Sequence, residues 1–230
     1  MTLPQQPLVS IDTVPFLFRD GVLEVILAQR IFEPFLGEPA LPGVLLSPKE
    51  RLAEAAVRAL KTKAGIEEES IRSITGAGVF DNPDRDPRGP TLSIVHAVVL
   101  DPAVGDSVES SARGGGAGTD RAAGGGAAAV RAAAVQGLPF DHDAIIARTA
   151  GAVLDALWID RDLSRALLGE RFTTASAARL ARELALAARR PEPQTGNLGR
   201  DLAKNPWLVK TTEAAPPSGR GRPAAGWAWQ

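Results

Sequence analysis

An Asp20-Gly21 pair between two apolar runs constrains this chain most, because it forces an antiparallel pair of strands near the N-terminus. Val14-Pro15-Phe16-Leu17-Phe18 leads into the turn at Arg19-Asp20-Gly21, and Val22 to Arg30 leads out of it. Asp-Gly readily adopts the two positive-φ conformations of a tight hairpin turn. Pro48 to Ala64 then carries apolar residues at Leu52, Ala56, Ala59, Leu60 and Ala64, with Gly65 just beyond. That spacing predicts an amphipathic helix closed by a C-capping glycine. Ile71 to Phe80 and Thr91 to Leu100 read as strands on either side of the loop from Asp81 to Pro90. The order predicts a mixed α and β domain with a mid-chain helix.

From Asp101 to Ala129 the character changes, with Gly114-Gly115-Gly116 and Gly124-Gly125-Gly126 set among Ala, Ser and Asp. Such a segment buries too little apolar surface to offset its ordering entropy, so its centre, about residues 103–127, is expected to form a flexible insert, with Ala127 to Ala134 able to resume helix or strand. Asp141 to Ile159 is the next helix, with Asp141 or Asp143 at its N-cap and Ile145, Ile146, Val153, Leu154 and Leu157 as its apolar side. It is expected to close a first domain, residues 1–158. Residues 159–230 hold a short apolar helix at Leu163 to Leu168, a helix capped by Thr173 or Thr174 and running to about Arg189, and a third capped by Thr195 or Asn197 and running to about Lys204. Trp207 to Thr212, Gly219-Arg220-Gly221-Arg222-Pro223 and Trp227-Ala228-Trp229 follow. Three helices and a two-stranded ribbon outline a winged helix-turn-helix.

Charge divides along the same line. The net charge of the 230 residues is -1, yet residues 161–230 hold 12 Lys and Arg against 6 Asp and Glu, or +6, leaving 14 against 21, or -7, for residues 1–160. A basic C-terminal part suits phosphate neutralisation on nucleic acid. Cysteine is absent, which excludes disulfides and thiolate metal sites. The N-terminus lacks a basic start with an apolar core, and no run of about 20 apolar residues occurs, so a cytoplasmic location is expected.

The segment Gly43 to Ile66 resembles the Nudix box, G-x5-E-x7-R-E-U-x-E-E-x-G-U, where U is aliphatic. Glu50 stands at its first acid, Arg58 at its arginine, Leu60 and Ile66 at its aliphatic sites and Gly65 at its late glycine. The box places metal-binding glutamates where this sequence has Ala59, Thr62 and Lys63, and Val44 replaces its opening glycine. A hard divalent cation needs several oxygen ligands, so these replacements argue against hydrolysis. Glu50, Glu54 and Arg58 at helical spacing fit a charge ladder.

Over nearly its whole length, the glycine-rich insert apart, the chain resembles the NrtR family of Nudix-related transcriptional regulators of NAD metabolism. The marks are Glu33-Pro34-Phe35-Leu36-Gly37, Ala40-Leu41-Pro42-Gly43, the Asp84-Arg85-Asp86-Pro87-Arg88-Gly89 loop, Pro139-Phe140-Asp141-His142, Leu168-Gly169-Glu170-Arg171-Phe172-Thr173 and Gly221-Arg222-Pro223. The resemblance implies an α+β fold, an α/β/α Nudix-like sandwich with a mixed sheet, followed by a winged helix-turn-helix. It also implies a homodimeric repressor on a palindromic DNA operator, with ADP-ribose or a related nucleotide as effector and no required cofactor. The chain departs from that family at Gly199 and Asp201, where arginines are common.

Arg30, Arg85 and Arg88 are candidate partners for a diphosphate, since arginine offers a planar bidentate fork. Arg85 and Arg88 equally fit a loop braced by its own Asp81, Asp84 and Asp86. Phe80 and Phe35 are candidates to stack on adenine, and Glu50 and Arg58 complete the ligand set. Thr195, Asn197, Arg200, Lys204, Lys210, Arg220 and Arg222 are candidate DNA contacts, with Arg200 and Lys204 one helical turn apart. Trp227 and Trp229 are expected to pack in the core, and His142 to serve N-terminal capping beside Asp141 and Asp143. An active Nudix pyrophosphatase using Glu50 and Glu54 with a divalent metal remains an alternative, as does a DNA-binding protein whose Nudix-like part is only a dimerisation scaffold.

Overall fold

The Asp20-Gly21 turn forms with φ of 51° and 75° and joins β1 (Leu8–Arg19) to β2 (Val22–Gln29) in the register Arg19↔Val22 to Phe16↔Val25. The structure, a computed structural model, describes residues 6–113, 126–211 and 226–230. Two short strands follow, β3 (Pro39–Ala40) and β4 (Gly43–Leu45), and then helix α1 (Leu52–Ala64), closed by Gly65 in the left-handed conformation at φ 66°. The helix begins four residues later than its apolar spacing predicts, because Ser47 to Glu50 forms a turn with Lys49 at φ 67°. Strands β5 (Ile71–Phe80) and β6 (Thr91–Leu100) lie where expected, and β6 runs parallel to β1 from Leu8↔Thr91 to Phe16↔Val99.

Residues 103–127 are not all insert. Helix α2 (Ala103–Arg113) opens the segment, burying Val104 and Val108, and strand β7 (Ala127–Arg131) closes it by pairing with β2. The i, i+4 valines supply the apolar contact that glycine content obscured. The central glycine-rich residues 114–125 lie outside the described residues. Helix α3 (His142–Ala156) stops three residues short of Ile159, where Trp158 turns to φ 69°.

The mixed sheet has the order β3-β2-β1-β6-β5, with β4 on β1 and β7 on β2. Adjacent residues of each strand face opposite layers, as the pleat requires. Leu17, Ile26, Val98 and Leu100 meet Leu60 of α1 and the valines of α2, whereas Phe16, Val25, Val95 and Val99 meet Ile145, Ile146 and Val153 of α3. This is an α/β/α sandwich, as expected.

The second helical layer also recruits the C-terminal part. Helices α4 (Arg161–Leu168) and α5 (Thr174–Ala187) place Leu163, Leu167, Leu180 and Leu184 in the core that holds Phe16 and Val25. Between them lies β8 (Arg171–Thr173), and Thr173 caps α5 by accepting from the Ser176 N–H at 3.0 Å. Helix α6 (Leu198–Leu202) is shorter than predicted, with a turn at Ala203 and Lys204 rather than helix. Strands β9 (Leu208–Thr211) and β10 (Gly226–Trp229) complete a three-stranded sheet of order β8-β10-β9, one strand more than the predicted ribbon. The tryptophans are packing residues: Trp227 is buried and donates to Thr174 Oγ1 at 2.8 Å, and Trp229 donates to the Gly169 carbonyl at 2.9 Å.

Candidate functional site

A cleft of about 390 Å³ opens between α1, the β2–β3 loop, the loop after β5 and the N-terminus of α3. Its lining includes Asp12, Arg30, Phe32, Arg58, Thr62, Lys63, Arg85, Asp86, Arg88, Phe140 and His142. Five of these eleven side chains are cationic and two are carboxylates, so the cleft suits an anion. Its volume falls in the range of small-molecule sites, about 300–1,000 Å³.

Arg30 and Arg88 share one ring: their guanidinium carbons lie 4.8 Å and 5.9 Å from the Phe140 centroid. Burial lowers the pKa of Arg30, and the neighbouring charge of Arg88 lowers it further. Arg30 forms no ion pair among the described residues; its Nε donates to the Pro34 carbonyl at 2.8 Å. Arg88 donates bidentately to Asp86 at 2.9 Å and 2.7 Å. Burial works against the Asp86 carboxylate, but the Arg88 hydrogen bonds prevail and lower its pKa. Two crowded guanidiniums with one carboxylate between them leave an unmet demand for negative charge.

Arg85 behaves differently from Arg88, three residues on. Its side chain is 3% exposed, donating to Asp141 at 2.7 Å and lying 3.5 Å from Asp12. Asp12 in turn accepts from Ser93 and Ser10. Burial opposes the charge on Arg85, yet Asp141 and Asp12 raise its pKa overall. Arg85 therefore braces the cleft floor rather than presenting a free fork, and its bracing partners are distant in sequence instead of Asp81 or Asp84.

Three further expectations are corrected. Glu50 lies before α1, not on it, so the charge ladder does not form: Glu50 receives Arg58 Nε at 2.7 Å, while Glu54 receives the Arg51 N–H at 3.0 Å. The Arg58 hydrogen bonds, with the Ser47 N–H, hold the Glu50 pKa at about 2. Arg58 also donates to the Leu45 carbonyl at 2.9 Å, so the pair is a strut and Glu50 does not line the cleft. Phe80 is buried outside the cleft, with Arg148 4.2 Å over its ring. His142 does not cap α3; it is buried, and its Nδ1 accepts from the Leu41 N–H at 3.0 Å. Asp12, Lys63, Phe32 and Phe140 were not singled out as ligand residues by sequence reasoning, and the Pro139-Phe140-Asp141-His142 motif was the one signal pointing near them.

Burial lowers the pKa of both His142 and His96 from the ordinary 6.5, so both are neutral when folded. The unfolded chain takes up protons below 6.5 that the folded chain refuses. Stability will be full above about pH 6.5 and will fall below it, by up to about 1.4 kcal/mol per pH unit for each histidine. Urea midpoints measured from pH 7.5 to 5 will show the slope, and His142→Asn, which keeps an acceptor near Nδ1, will flatten it by one proton.

The Nudix positions do not suit a divalent metal. Ala59 is buried, the Thr62 hydroxyl donates to the Arg58 carbonyl at 2.7 Å, and Lys63 places its ammonium 5.7 Å from the Phe32 centroid. Thr62 and Lys63 nevertheless line the cleft where the box would place acids. A lysine there supplies positive charge directly.

At the other end, Leu202 joins Phe172, Leu208 and Trp227 in a small core that pins α6 to the three-stranded sheet. Asn197, Arg200 and Lys204 are exposed along α6 and its following turn, with Lys204 3.6 Å from Asp201. Thr195 is half-buried and receives Arg182, and Lys210 is exposed with its ammonium 5.8 Å over Trp227. The absent Cβ of Gly199 would meet Thr174 Cγ2 at 3.6 Å, an ordinary contact, so glycine is not required there for space. Arg220 and Arg222 lie outside the described residues.

No family model matches the chain. The ADP-ribose pyrophosphatase of Methanocaldococcus jannaschii is 39% identical over 85 residues, covering 35% of this chain and 48% of that protein. The ADPR responsive transcriptional repressor NtrR of Acinetobacter baylyi is 31% identical over 96 residues, covering 41% and 37%. The chain thus matches less than half the length of either. Among solved structures, Shewanella oneidensis NrtR complexed with a 27mer DNA superposes with TM-score 0.67 at 20% identity, over 96% of this chain and 93% of that one. This chain has the fold of NrtR. The likeness to NrtR spans the sandwich and the C-terminal sheet alike, so the resemblance read from the sequence holds for the whole architecture. The Nudix domain of the same NrtR, complexed with ADP ribose, superposes with TM-score 0.52 at 24% identity over 65% of this chain. Among the described residues no helix is long and apolar enough to cross a membrane.

Proposed function

We propose that this chain is a transcriptional repressor whose Nudix-like cleft senses ADP-ribose or a related nucleotide, acts without hydrolysis, and controls DNA binding by its winged helix-turn-helix. The supporting observation is the cleft itself: Arg30 and Arg88 lie over the Phe140 ring, and Lys63, at the place of a metal-binding acid of the box, lines the same cleft. A sugar diphosphate brings two negative charges to a place already lined with cations, so magnesium is not needed to neutralise it. The residues that would have to hold magnesium, Ala59, Thr62 and Lys63, contribute no carboxylate. The names of NrtR and of the Acinetobacter repressor agree with this reading, while the archaeal pyrophosphatase favours the hydrolytic alternative.

Residues 1–158 serve as the effector module and 159–230 as the DNA module, in a cytoplasmic homodimer on a palindromic operator near genes of NAD metabolism. Asn197, Arg200 and Lys204 enter the major groove; Thr195 and Lys210 flank it, and Arg220 and Arg222 of the wing reach the backbone or minor groove. The two modules share a mechanical path. Helix α3 starts at the cleft with Asp141 holding Arg85, and its far end packs on α5 of the DNA module. ADP-ribose binding better to one arrangement of α3 and α5 shifts the spacing of the two winged domains, and its differential affinity sets how far DNA binding falls.

A duplex selected from a random pool by the full chain, titrated with ADP-ribose in EDTA and then in Mg²⁺, tests this. Release in EDTA with no AMP formed is expected. Unchanged DNA affinity at saturating ADP-ribose removes the sensing function, and AMP release that depends on Mg²⁺ and fails in Glu50→Gln installs the pyrophosphatase. Lys63→Glu will weaken metal-free ADP-ribose binding about tenfold to a hundredfold, the worth of one charge-assisted hydrogen bond. Calorimetry in EDTA reads the effect directly.

A further inference from the structure

We infer that Phe32 is the platform on which the base of the nucleotide stacks, an assignment that rests on the ADP-ribose reading of the cleft. Two aromatic side chains line that cleft among the described residues, Phe32 and Phe140. Phe140 is half-buried and its ring is already engaged by four side chains. Arg30 and Arg88 lie over its ring, Phe35 meets it edge-on at 5.1 Å, and His142 packs against it at 5.2 Å.

Phe32 is the opposite case. It is 64% exposed on the rim, with Lys63 5.7 Å from its centroid and, among the described residues, no other ring against it. A cation over an aromatic ring draws on the electron density of the face, so the lysine orients the ring without enclosing it. A large apolar side chain left open beside a charged cleft is a surface waiting for a partner that is flat, apolar on its faces and attached to an anion. A purine nucleoside diphosphate has that chemistry, and any base can stack because every base has a π-face.

Exposure of this kind does not come from a loose loop. Arg30 donates from Nη2 to the Phe32 carbonyl at 3.3 Å and from Nε to the Pro34 carbonyl at 2.8 Å. The Gly37 N–H donates to the Arg30 carbonyl at 2.9 Å, the Arg30 N–H to the Glu38 carbonyl at 2.9 Å, and Gln29 Nε2 to the Gly37 carbonyl at 3.2 Å. The arginine that faces the diphosphate therefore also fixes the backbone that presents Phe32, so phosphate and base sites are held in one register before ligand arrives. Pre-organisation of that sort lowers the ordering cost of binding.

The test is calorimetry on the full chain in EDTA, with ADP-ribose as the base-containing probe and inorganic pyrophosphate, read by competition, as the base-free one. Phe32→Ala is expected to weaken ADP-ribose about tenfold to a hundredfold, as removal of a stacking ring does, and to leave the pyrophosphate constant unchanged. Phe32→Trp is expected to retain or tighten ADP-ribose. Equal losses for both probes would make Phe32 a support of the cleft and overturn the assignment, as would no loss for either. A change of sedimentation mass in Phe32→Ala would overturn it too, by showing that the ring covers a second copy of the chain. A wild-type chain that binds neither probe removes the underlying ADP-ribose reading instead, before any variant is compared.

Discussion

Replacing Arg85 by alanine will destabilise the folded chain by about 3–5 kcal/mol, the loss expected when one partner of a buried ion pair is removed. The guanidinium is 3% exposed and stands between Asp141, 19% exposed, and Asp12, 9% exposed. Without it, two carboxylates remain largely out of water with, among the described residues, Ser93 and Ser10 as the side chains donating to Asp12. Arg85→Lys will recover only part, because a single ammonium cannot reproduce the fork that meets both Asp141 oxygens at 2.7 Å and 3.1 Å. Asp141→Asn in the Arg85→Ala background will cost less than it does alone, since the two residues act as one unit. Urea unfolding of the four chains gives the cycle. A single-variant loss below about 1 kcal/mol, the worth of an exposed pair, would show that Arg85 is solvated and free to meet ligand.

Leu184→Ala will cost about 2–5 kcal/mol, as for other buried leucines, and will lower the stability of both halves together. Leu184 belongs to α5 of the C-terminal part, yet it is fully buried in the core that contains Phe16, Val25 and Ile146 of the sandwich. Polar contacts reinforce that seam. Glu183, 5% exposed, receives Arg131 at 2.8 Å; Arg179 donates to the Gly21 carbonyl at 3.0 Å; Arg190 reaches Asp155 at 2.7 Å. Calorimetric unfolding will show one transition before and after the substitution. Two separated transitions, only one of them shifted, would mean that the modules fold independently and that α5 carries no signal from the cleft.

The shared seam also bears on the proposed coupling of the cleft to the C-terminal part. A helix-turn-helix hung from a flexible linker feels its neighbour only through tethering, whereas α5 is wedged between α3 and the β1–β2 turn. The proposed signal from the cleft would travel through α3 in this way, because packed cores switch between discrete arrangements rather than deforming smoothly.

Much of this was legible in the amino-acid order. The Asp20-Gly21 hairpin, the strands at Ile71–Phe80 and Thr91–Leu100, the Gly65 cap and the Thr173 cap all depend on neighbours within a few residues, and local patterning encodes them directly. The lost acids at Ala59, Thr62 and Lys63 were equally readable, because a motif's spacing survives when its chemistry does not. Partners far apart in the chain were not readable. Arg85 and Arg88 share one loop and one residue type, but Arg85 turns inward to an aspartate 56 residues away while Arg88 takes an aspartate two residues back. Glu50 left the helix, His142 went to a backbone N–H of the β3–β4 turn, and Phe32 rather than Phe80 came to stand open on the rim. Sequence determined most of the helices and strands, though not α2 or the third strand of the C-terminal sheet, and which charges exist, since those follow largely from propensity and period. Tertiary structure alone decided which charges face each other, because burying one polar group obliges the fold to bring it a partner from wherever the chain can supply one.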